Sequence, residues 1–554
     1  MNDAPDAPTV GAPHPRRWFA MAVVALAVSI IIMDATVVNV ILPVLIQDLS
    51  LTVSQAEWVN SIYALVFAAL LITVGRASDL YGRRRMLLLG TTIFVVASVL
   101  AAASERGTVL LAARLLQGVG GAMILPSTLS TVNAMFTGRE RGIAFAIWGS
   151  TIGGMAAVGP LVGGWLATDF SWHWAFLINV PIGVAILAGT LLWVPETRDP
   201  HAERGVDVAG IALSVLGLAA IVFGLIEGQS YGWWRTERAP EIAGWTWPFT
   251  FSPVVVALVV GVLALTAFVL VERTRARAGR PVLLDLSLLR IRSLRYGSIA
   301  ALIVALGEFG MLFALPLYVQ GVLGFTALQT GVLVLALAIG TFLISGGTAQ
   351  LSRRIGGRGV VRVGLLLEVV AVTGLALSIT ATANAWVLAA WLFLYGVGVG
   401  LATAQLTNVI MVDVPVAESG QASGFQSTVR QVGSALGIAL LGSVLVTTLA
   451  AGTASNLEDV PGVDAADQDR IVSVVKQSAG AAIPGLADAP GAGPAVQTAA
   501  EDAMVTAARV TTLTAAGVLL VGLLATAGVP ATPVRRPDAT TESEDAAGAQ
   551  AASS

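Results

Sequence analysis

Residues 75–85 read GRASDLYGRRR, and long apolar segments at 58–75 and 86–104 lie on either side of this stretch. Glycine permits a tight turn between two helices, because it lacks the side chain that restricts the backbone of other residues. Asp79 can cap a helix end and pair with an arginine, and the arginines that follow are typical of a loop on the cytoplasmic side of a membrane. The stretch therefore predicts a short basic turn between two helices that cross a membrane.

The composition of the whole chain also points to a membrane. Of the 554 residues, 56% are hydrophobic and 12% are charged, and the mean hydropathy is +0.82. Soluble domains usually carry about 25% charged residues, so this chain needs lipid as part of its solvent. The chain has no cysteine, which excludes disulfides and thiolate metal sites, and only three histidines. No cluster has metal-ligand spacing, so we expect no metal and no cofactor.

Membrane-spanning helices are predicted from their length, since a helix needs about 20 predominantly apolar residues to cross the hydrocarbon core. Fourteen segments meet this requirement, and charge, proline or a polar turn bounds each of them. The segments are 18–42, 58–75, 86–104, 109–135, 142–168, 174–194, 206–227, 253–271, 296–319, 328–351, 360–380, 385–411, 422–449 and 507–528. The sequence therefore predicts an all-α polytopic membrane protein with fourteen transmembrane helices.

The arginines alternate between successive loops and so predict an orientation. Basic residues concentrate in loops on the cytoplasmic side of membrane proteins. The clusters lie at 16–17, 76–85, 139–141, 198–204, 273–295, 353–362 and 535–536. Both termini are therefore expected in the cytoplasm. Lys476 is the only lysine, and this bias suggests a GC-rich bacterium, which places the chain in a bacterial cytoplasmic membrane.

A weak internal repeat divides the predicted helices into two bundles. Residues 349–358 read AQLSRRIGGR, so that Gly356 matches Gly82, while Arg353 stands where the first copy has Asp79. The repeat pairs spans one to six with spans nine to fourteen and leaves spans seven and eight as an insert.

The predicted organisation follows from this repeat and from the polar stretches. It comprises a cytoplasmic tail at 1–17, a six-helix bundle at 18–200, a two-helix insert at 201–280, a second six-helix bundle at 281–529 and a disordered cytoplasmic tail at 530–554. The second bundle contains a long external loop at 450–506, with some helix near 468–479. A second outer segment, at 228–252, is rich in tryptophan, which suits a membrane interface.

The stretch at 75–85 resembles the loop signature of the major facilitator superfamily, Gly-x-x-x-Asp-x-x-Gly-Arg-Arg/Lys. The resemblance covers residues 18 to about 450 and the last predicted span. It implies the major facilitator fold, here with two six-helix bundles and two extra central helices, and a loop that forms a breakable cytoplasmic latch. The residues of this gating loop are Gly75, Asp79, Gly82, Arg83 and Arg84. Arginines alone would also fit a loop that only sets topology.

Two further motifs place a carboxylate and an arginine in the outer half of the membrane. Residues 33–43, MDATVVNVILP, resemble the first-helix signature of the fourteen-span drug:proton antiporters, and residues 114–121, RLLQGVGG, resemble the fourth-helix motif of the superfamily. A buried acid beside a movable cation can load and release a proton. We therefore predict that Asp34 and Arg114 take part in proton coupling. A static ion pair, or an Arg114 that extends to water, is the alternative.

Small residues recur through predicted span five, where residues 149–164 read GSTIGGMAAVGPLVGG. Such residues let helices approach closely, and the proline bends a helix because it removes a backbone donor. The pattern resembles the antiporter motif of drug exporters and implies export, although generic glycine packing is the alternative. The matching residues are Gly149, Gly153, Gly159, Pro160, Gly163 and Gly164. Residues 171–183, SWHWAFLINVPIG, likewise resemble the fourteen-span branch.

Glu308 lies in the middle of predicted span nine. An acid at this depth indicates a functional site, so Glu308 could bind a lipophilic cation or carry a second proton, and a packed, protonated side chain is the alternative. Glu368 is similar but nearer the cytoplasm, and Arg430 could pair with Glu368 or bind an anionic ligand. The candidates for a substrate cavity are Asn39, Gln117, Glu308, Gln320, Gln405 and Asn408.

The resemblance implies a proton-coupled antiporter that exports hydrophobic or amphipathic compounds such as drugs. The expected partners are a lipophilic small molecule, protons and membrane lipid, without nucleic acid, and the expected state is a monomer. A dedicated exporter of one metabolite, antibiotic, lipid or amino acid is an alternative that shares the motifs. A membrane receptor or an enzyme is disfavoured, since the sequence contains neither a catalytic constellation nor a phosphate-binding loop.

Overall fold

The computed structural model describes residues 16–136, 138–197, 207–242, 245–280, 282–284, 286–345, 348–414, 419–488 and 493–529. Within these ranges the chain is almost entirely helical. The helices are α1 (Arg17–Asp48), α2 (Val53–Tyr81), α3 (Arg83–Ala102), α4 (Gly107–Met135), α5 (Gly138–Asp169), α6 (Trp172–Leu177), α7 (Asn179–Trp193), α8 (Val208–Tyr231), α9 (Pro253–Arg277), α10 (Arg292–Gly321), α11 (Ala327–Ser345), α12 (Thr348–Ile355), α13 (Gly357–Ser378), α14 (Ala385–Met411), α15 (Ser419–Glu458), α16 (Ala465–Gln477) and α17 (Pro494–Ala525).

Most of these helices are suited to a membrane by length and composition. Among the described residues, 12 helical stretches are long and apolar enough to cross one. The helices α2, with 29 residues, and α5, with 32 residues, are of similar length and pack among them. The arrangement is therefore an all-helical membrane bundle that is compatible with fourteen spans.

The helices pack as two groups with an additional pair. In the first group α1 packs against α5 and α7, and α4 packs against α2 and α3. In the second group α10 packs against α15 and α17, and α14 packs against α11 and α13. The groups meet where α5 contacts α11 and where α2 contacts α15, while α8 pairs with α9 and also contacts α2 and α15. We call the end of the bundle where α1 begins and α17 ends the terminal end, and the other the opposite end.

The segment predicted as a long loop at 450–506 is mostly helical in the structure. α15 continues to Glu458, α16 and a 3-10 turn follow, and α17 already begins at Pro494. This part of the sequence is rich in alanine, which has the highest helix propensity. The Nδ2 of Asn456 on α15 donates to the carbonyl of Ala499 on α17 at 2.9 Å. The two helices therefore reach beyond their predicted ends because their small, mainly apolar surfaces pack against each other.

The tryptophan-rich segment between α8 and α9 is the one place where the described residues form strands. Strand β1 (Glu241–Ile242) pairs antiparallel with β2 (Trp245–Thr246). The rings of Phe249 and Phe251 stack beyond this hairpin with centroids 4.9 Å apart. The hairpin is thus a small aromatic addition to an otherwise helical chain. The predicted tails lie almost wholly outside the described residues, since only 16–17 of the first tail are described.

Candidate functional site

Asp34 and Arg114 form a buried ion pair between α1 and α4. The Nη1 of Arg114 donates to Oδ2 of Asp34, and each side chain is 1% exposed. The Nε of Arg114 donates to the carbonyl of Val59 on α2 at 3.0 Å. Arg114 is therefore held inside the bundle, and the alternative in which it extends to water is wrong. A charge buried in this way needs such partners, because an unpaired one is costly in lipid.

Amide and hydroxyl groups complete the surroundings of the Asp34 carboxylate. Its Oδ1 accepts hydrogen bonds from Nε2 of Gln117 at 2.9 Å and from Nδ2 of Asn179 at 2.8 Å. Both amides also donate to Oγ of Ser98, at 2.9 and 3.2 Å. Every bond to Asp34 in this network is a donor pointing at a carboxylate, so the arrangement satisfies the ionised form.

The sequence analysis missed three members of this network. Asn179 is the first residue of α7, and Ser98 lies on α3. The guanidinium of Arg114 lies 4.4 Å from the ring centroid of Tyr63 on α2, which adds a cation–π contact. Asn179 belongs to the stretch 171–183 that resembles the fourteen-span branch, and this stretch was the only signal that pointed to it.

A cavity of about 300 Å³ lies beside the ion pair and between the two groups of helices. Its lining is mainly apolar, which is typical of small-molecule sites. The first group contributes polar groups from Asn39, Asn60 and Arg114, and the second contributes Glu308 and Arg430. The cavity therefore offers an apolar volume with a few convergent polar groups, drawn from both groups of helices.

The predicted cavity residues fall into distinct places. Asn39 and Glu308 line the cavity, and Gln117 lies behind its wall, in the Asp34 network. Gln320 instead donates from Nε2 to the carbonyl of Val40 at 2.8 Å and so ties α10 to α1. The structure does not put Gln405, which is buried, or Asn408, which is exposed, on the cavity wall.

The second group of helices carries its own charged cluster beside the cavity. Nη2 of Arg430 on α15 lies 3.9 Å from Oε2 of Glu308 on α10, so the ion-pair partner of this arginine is Glu308. Glu368 on α13 is fully buried, and neither of its carboxyl oxygens has a hydrogen-bond partner among the described residues. The hydroxyl of Tyr395 on α14 is unpartnered in the same sense. This cluster is looser than the Asp34 network, and only Glu308 and Arg430 of it line the cavity.

The predicted gating loop joins α2 and α3 at the terminal end. Gly82 has φ of +115°, a conformation that other residues rarely adopt. The carboxylate of Glu196 accepts a hydrogen bond from the backbone N–H of Arg84 at 3.2 Å and lies 3.6 Å from Nε of Arg85. Glu196, which the sequence analysis missed, is therefore one acid that contacts this turn.

The other members of the loop have separate positions. Nη1 of Arg83 donates to the carbonyl of Ser130 on α4 at 3.2 Å, and Nη2 of Arg84 donates to the carbonyl of Leu191 on α7 at 2.7 Å. A Cβ on Gly75 would lie 3.6 Å from Cβ of Pro126, which is ordinary contact. The side chain of Asp79 lies outside the described part of the chain. The predicted latch role of Asp79 is therefore a proposal.

The antiporter-like motif on α5 makes two close helix contacts. Gly163 faces α1, where a Cβ would lie 2.7 Å from Cγ1 of Val37. Gly164 faces α11, where a Cβ would lie 2.9 Å from the carbonyl carbon of Ala327. The carbonyl of Pro160 lies against Gly331 of α11, a partner that the sequence analysis missed.

The remaining motif glycines are less informative. A Cβ on Gly159 would lie 3.0 Å from the carbonyl oxygen of Met33 on α1. Gly149 and Gly153 lie within α5, but their surroundings are outside the described part of the chain. The described glycines therefore place α5 directly on both α1 and α11, at the junction between the two groups of helices.

Two groups of membrane-spanning helices around a shared cavity, with a buried ion pair at its wall, define a membrane transporter. The chain belongs to the Major Facilitator Superfamily, whose family model matches residues 24–209 and 200–438. This superfamily consists of transporters rather than enzymes, and the chain is accordingly a multi-pass membrane transporter.

Several relatives are exporters or resistance proteins. The chain is 32% identical over 491 residues to the "Probable actinorhodin transporter" of Streptomyces coelicolor, covering 85% of this chain and 81% of the relative. It is 36% identical to the "Puromycin resistance protein pur8" of Streptomyces alboniger, covering 79% of this chain and 84% of the relative. It is 32% identical to the "Multidrug efflux pump LfrA" of Mycolicibacterium smegmatis, covering 77% of this chain and 81% of the relative.

The fold is also similar to that of a solved transporter. The crystal structure of a bacterial homolog of the human lysosomal transporter Spinster, in an inward-facing and unoccupied conformation, superposes with a TM-score of 0.57. The sequence identity is 17%, and the match covers 94% of this chain and 98% of the other. The likeness at this identity concerns the fold alone.

Proposed function

We propose that this protein exports hydrophobic or amphipathic compounds, including antibiotics, in exchange for protons. The observation that carries the proposal is the Asp34–Arg114 ion pair, which lies fully buried beside a cavity shared by both groups of helices. The relatives described above support drug and antibiotic export as the class of activity. The mainly apolar cavity suits such compounds, since it can bind them without specific polar contacts.

The proposed cycle is alternating access around this cavity. Hydrogen bonds join the groups at the opposite end, where Nε2 of Gln47 donates to the carbonyl of Ala481 at 2.8 Å and the N–H of Leu328 donates to Oγ1 of Thr168 at 3.0 Å. The arginine pattern assigns this end to the outer face of the membrane. The described conformation is then closed to the outside, and substrate enters the cavity from the cytoplasm.

The driving step is proposed at Asp34. The carboxylate is ionised while it accepts bonds from Arg114, Gln117 and Asn179. A proton from outside neutralises it, so that Arg114 loses its ionic partner and the contact between α1 and α4 weakens. Movement of these helices then changes both the shape of the cavity and the access of the proton to water. Glu308, on the facing wall, favours cationic substrates or carries a second proton.

The surroundings of the protein complete the proposal. Both termini are proposed to lie in the cytoplasm, which the positive loops support, and the chain is proposed to reside in a bacterial cytoplasmic membrane. Protons are the proposed coupling ion, and no other cofactor is invoked. The chain is proposed to work as a monomer in contact with lipid, because the cavity is formed within one chain.

A dedicated exporter of one natural product is the second candidate. The relatives favour it in part, since the "Probable actinorhodin transporter" and the "Tetracenomycin C resistance and export protein" of Streptomyces glaucescens each carry the name of a single compound. A panel of lipophilic drugs and aromatic antibiotics, added to everted vesicles that contain a pH-sensitive dye, separates the two. Proton release with many compounds supports multidrug export, whereas release with one supports the dedicated exporter. Drug accumulation that persists after the proton gradient is collapsed would overturn proton coupling.

A further inference from the structure

Another buried carboxyl group lies where all three parts of the bundle meet. The apolar side chains at this junction come from α2, α8 and α15, and we call it the three-helix seam. The residues of its core are Ala64, Leu65, Val222, Ile226, Ala435 and Ala439. Because α2 and α15 belong to different groups of helices, the seam separates when the groups move apart at the outer face.

Glu57 on α2 lies at the outer end of the three-helix seam. It is 0% exposed, and neither carboxyl oxygen has a hydrogen-bond partner among the described residues. Its side chain points at Gly442 of α15, where a Cβ would lie 3.0 Å from the carboxyl carbon. The carboxyl of Glu57, in the first group of helices, thus lies directly against the backbone of Gly442, in the second group.

Among the described residues, no positively charged side chain pairs with Glu57. Glu227 on α8 is close enough for its charge to act on Glu57, and its Oε1 accepts a hydrogen bond from Nε1 of Trp58 at 3.0 Å. On α15 the neighbouring polar group is Ser443, whose hydroxyl donates to a carbonyl of α8. The one charged residue within α4 is Arg114, which is committed to Asp34 and to the carbonyl of Val59.

An ionised Glu57 in this place would be an uncompensated buried charge beside a second acid, which is strongly unfavourable. The protonated form fits, because it requires no counter-ion. We propose that Glu57 and Glu227 form a second proton-binding site, which takes a proton from the outer side and holds it while the three-helix seam is closed. The inference rests on the proposed function. The added site differs from Asp34 because Asp34 has an arginine partner, whereas Glu57 has none among the described residues.

The experiment measures the opening of the outer face directly. Cysteines placed at the exposed residues Glu105 and Ala454 carry spin labels on the two groups of helices, and the native chain contains no cysteine. In lipid nanodiscs, we expect a short distance between the two labels at acid pH, where the outer face is closed. At alkaline pH we expect a longer distance between them, because the outer face opens. Glu57→Gln keeps the size and the neutral state, so the short distance should persist at both pH values.

Two variants make the result specific. Asp34→Asn, in the same labelled background, should retain the pH-dependent change of distance, since Glu57 is intact. Gly442→Ala crowds the Glu57 carboxyl and should increase the population of the long distance at acid pH. A Glu57→Gln protein that opens with pH as the wild type does overturns the proposal. Proton release on drug addition, measured separately in Asp34→Asn, tests the proposed function independently.

Discussion

The carbonyl of Pro160 on α5 lies against the backbone of Gly331 on α11, and on the neighbouring turn Gly164 lies against Ala327 in the same way. Two helices from different groups are therefore in backbone contact without any side chain between them. Such close packing is possible only with glycine at the contact points. This contact joins the two groups of helices near the opposite end, and the contact between Glu57 and Gly442 joins them at a second place near the same end.

The α5–α11 contact predicts a leak when it is widened. Gly164→Ala should force the helices apart, because its Cβ would overlap the backbone of Ala327. Passive proton entry into right-side-out vesicles should then rise above that of the wild type. The matched control is Gly154→Ala on the same helix, where a Cβ meets nothing within 4 Å. Equal proton entry for the two variants would show that this contact does not seal the outer face.

The orientation predicts which residues an impermeant reagent can reach. A single cysteine at Asp469, which is exposed on α16, should react in intact cells. A cysteine at Arg354, exposed on α12, should react only after lysis. The reverse pattern of labelling would invert the topology.

The turn between α2 and α3 predicts a gating role for Glu196. Glu196→Gln should slow transport several-fold with little change in stability, because an exposed ion pair of this kind contributes about 0–1 kcal/mol. Its partner Arg85 is 67% exposed. Initial rates of drug efflux, normalised to the amount of protein in the membrane, measure the effect. Wild-type rates would leave Glu196 with a structural role only.

Much of this architecture could be predicted from the sequence, since helices in lipid must be apolar along a fixed length. Counting inward from the span ends also placed Asp34 and Arg114 at a common depth, and the structure brings them together. The spans and the common depth of these two residues are inferred only from how far each residue lies from the end of its helix. These inferences succeed because depth in the membrane is set by the number of residues from the surface.

The partners that could not be predicted depend on rotation of one helix relative to another. Glu57 stands four residues after the start of α2, where an acid usually faces water, so its burial was not foreseen. Gly331 and Glu196 resemble ordinary packing and loop residues, and only contacts with distant segments reveal them. The helical extension of α15 and α17 was missed because its polar residues suggest a loop, although its alanines pack between the helices.

The choice of coupling carboxylate is the sharpest prediction of the structure. Asp34 has an ionic partner and two amide donors within hydrogen-bond distance, whereas Glu308 has an arginine at 3.9 Å. Protonation of Asp34 therefore breaks a complete network, and protonation of Glu308 disturbs little. Asp34→Asn should abolish drug-induced proton release while drug binding is retained.

Glu308→Gln is the matched comparison, since it removes a carboxylate from the same cavity. It should weaken binding of cationic drugs and leave proton exchange with neutral drugs intact. Proton release in everted vesicles and drug binding to the purified variants measure the two effects separately. Proton exchange that survives in Asp34→Asn and disappears in Glu308→Gln would assign the coupling proton to Glu308.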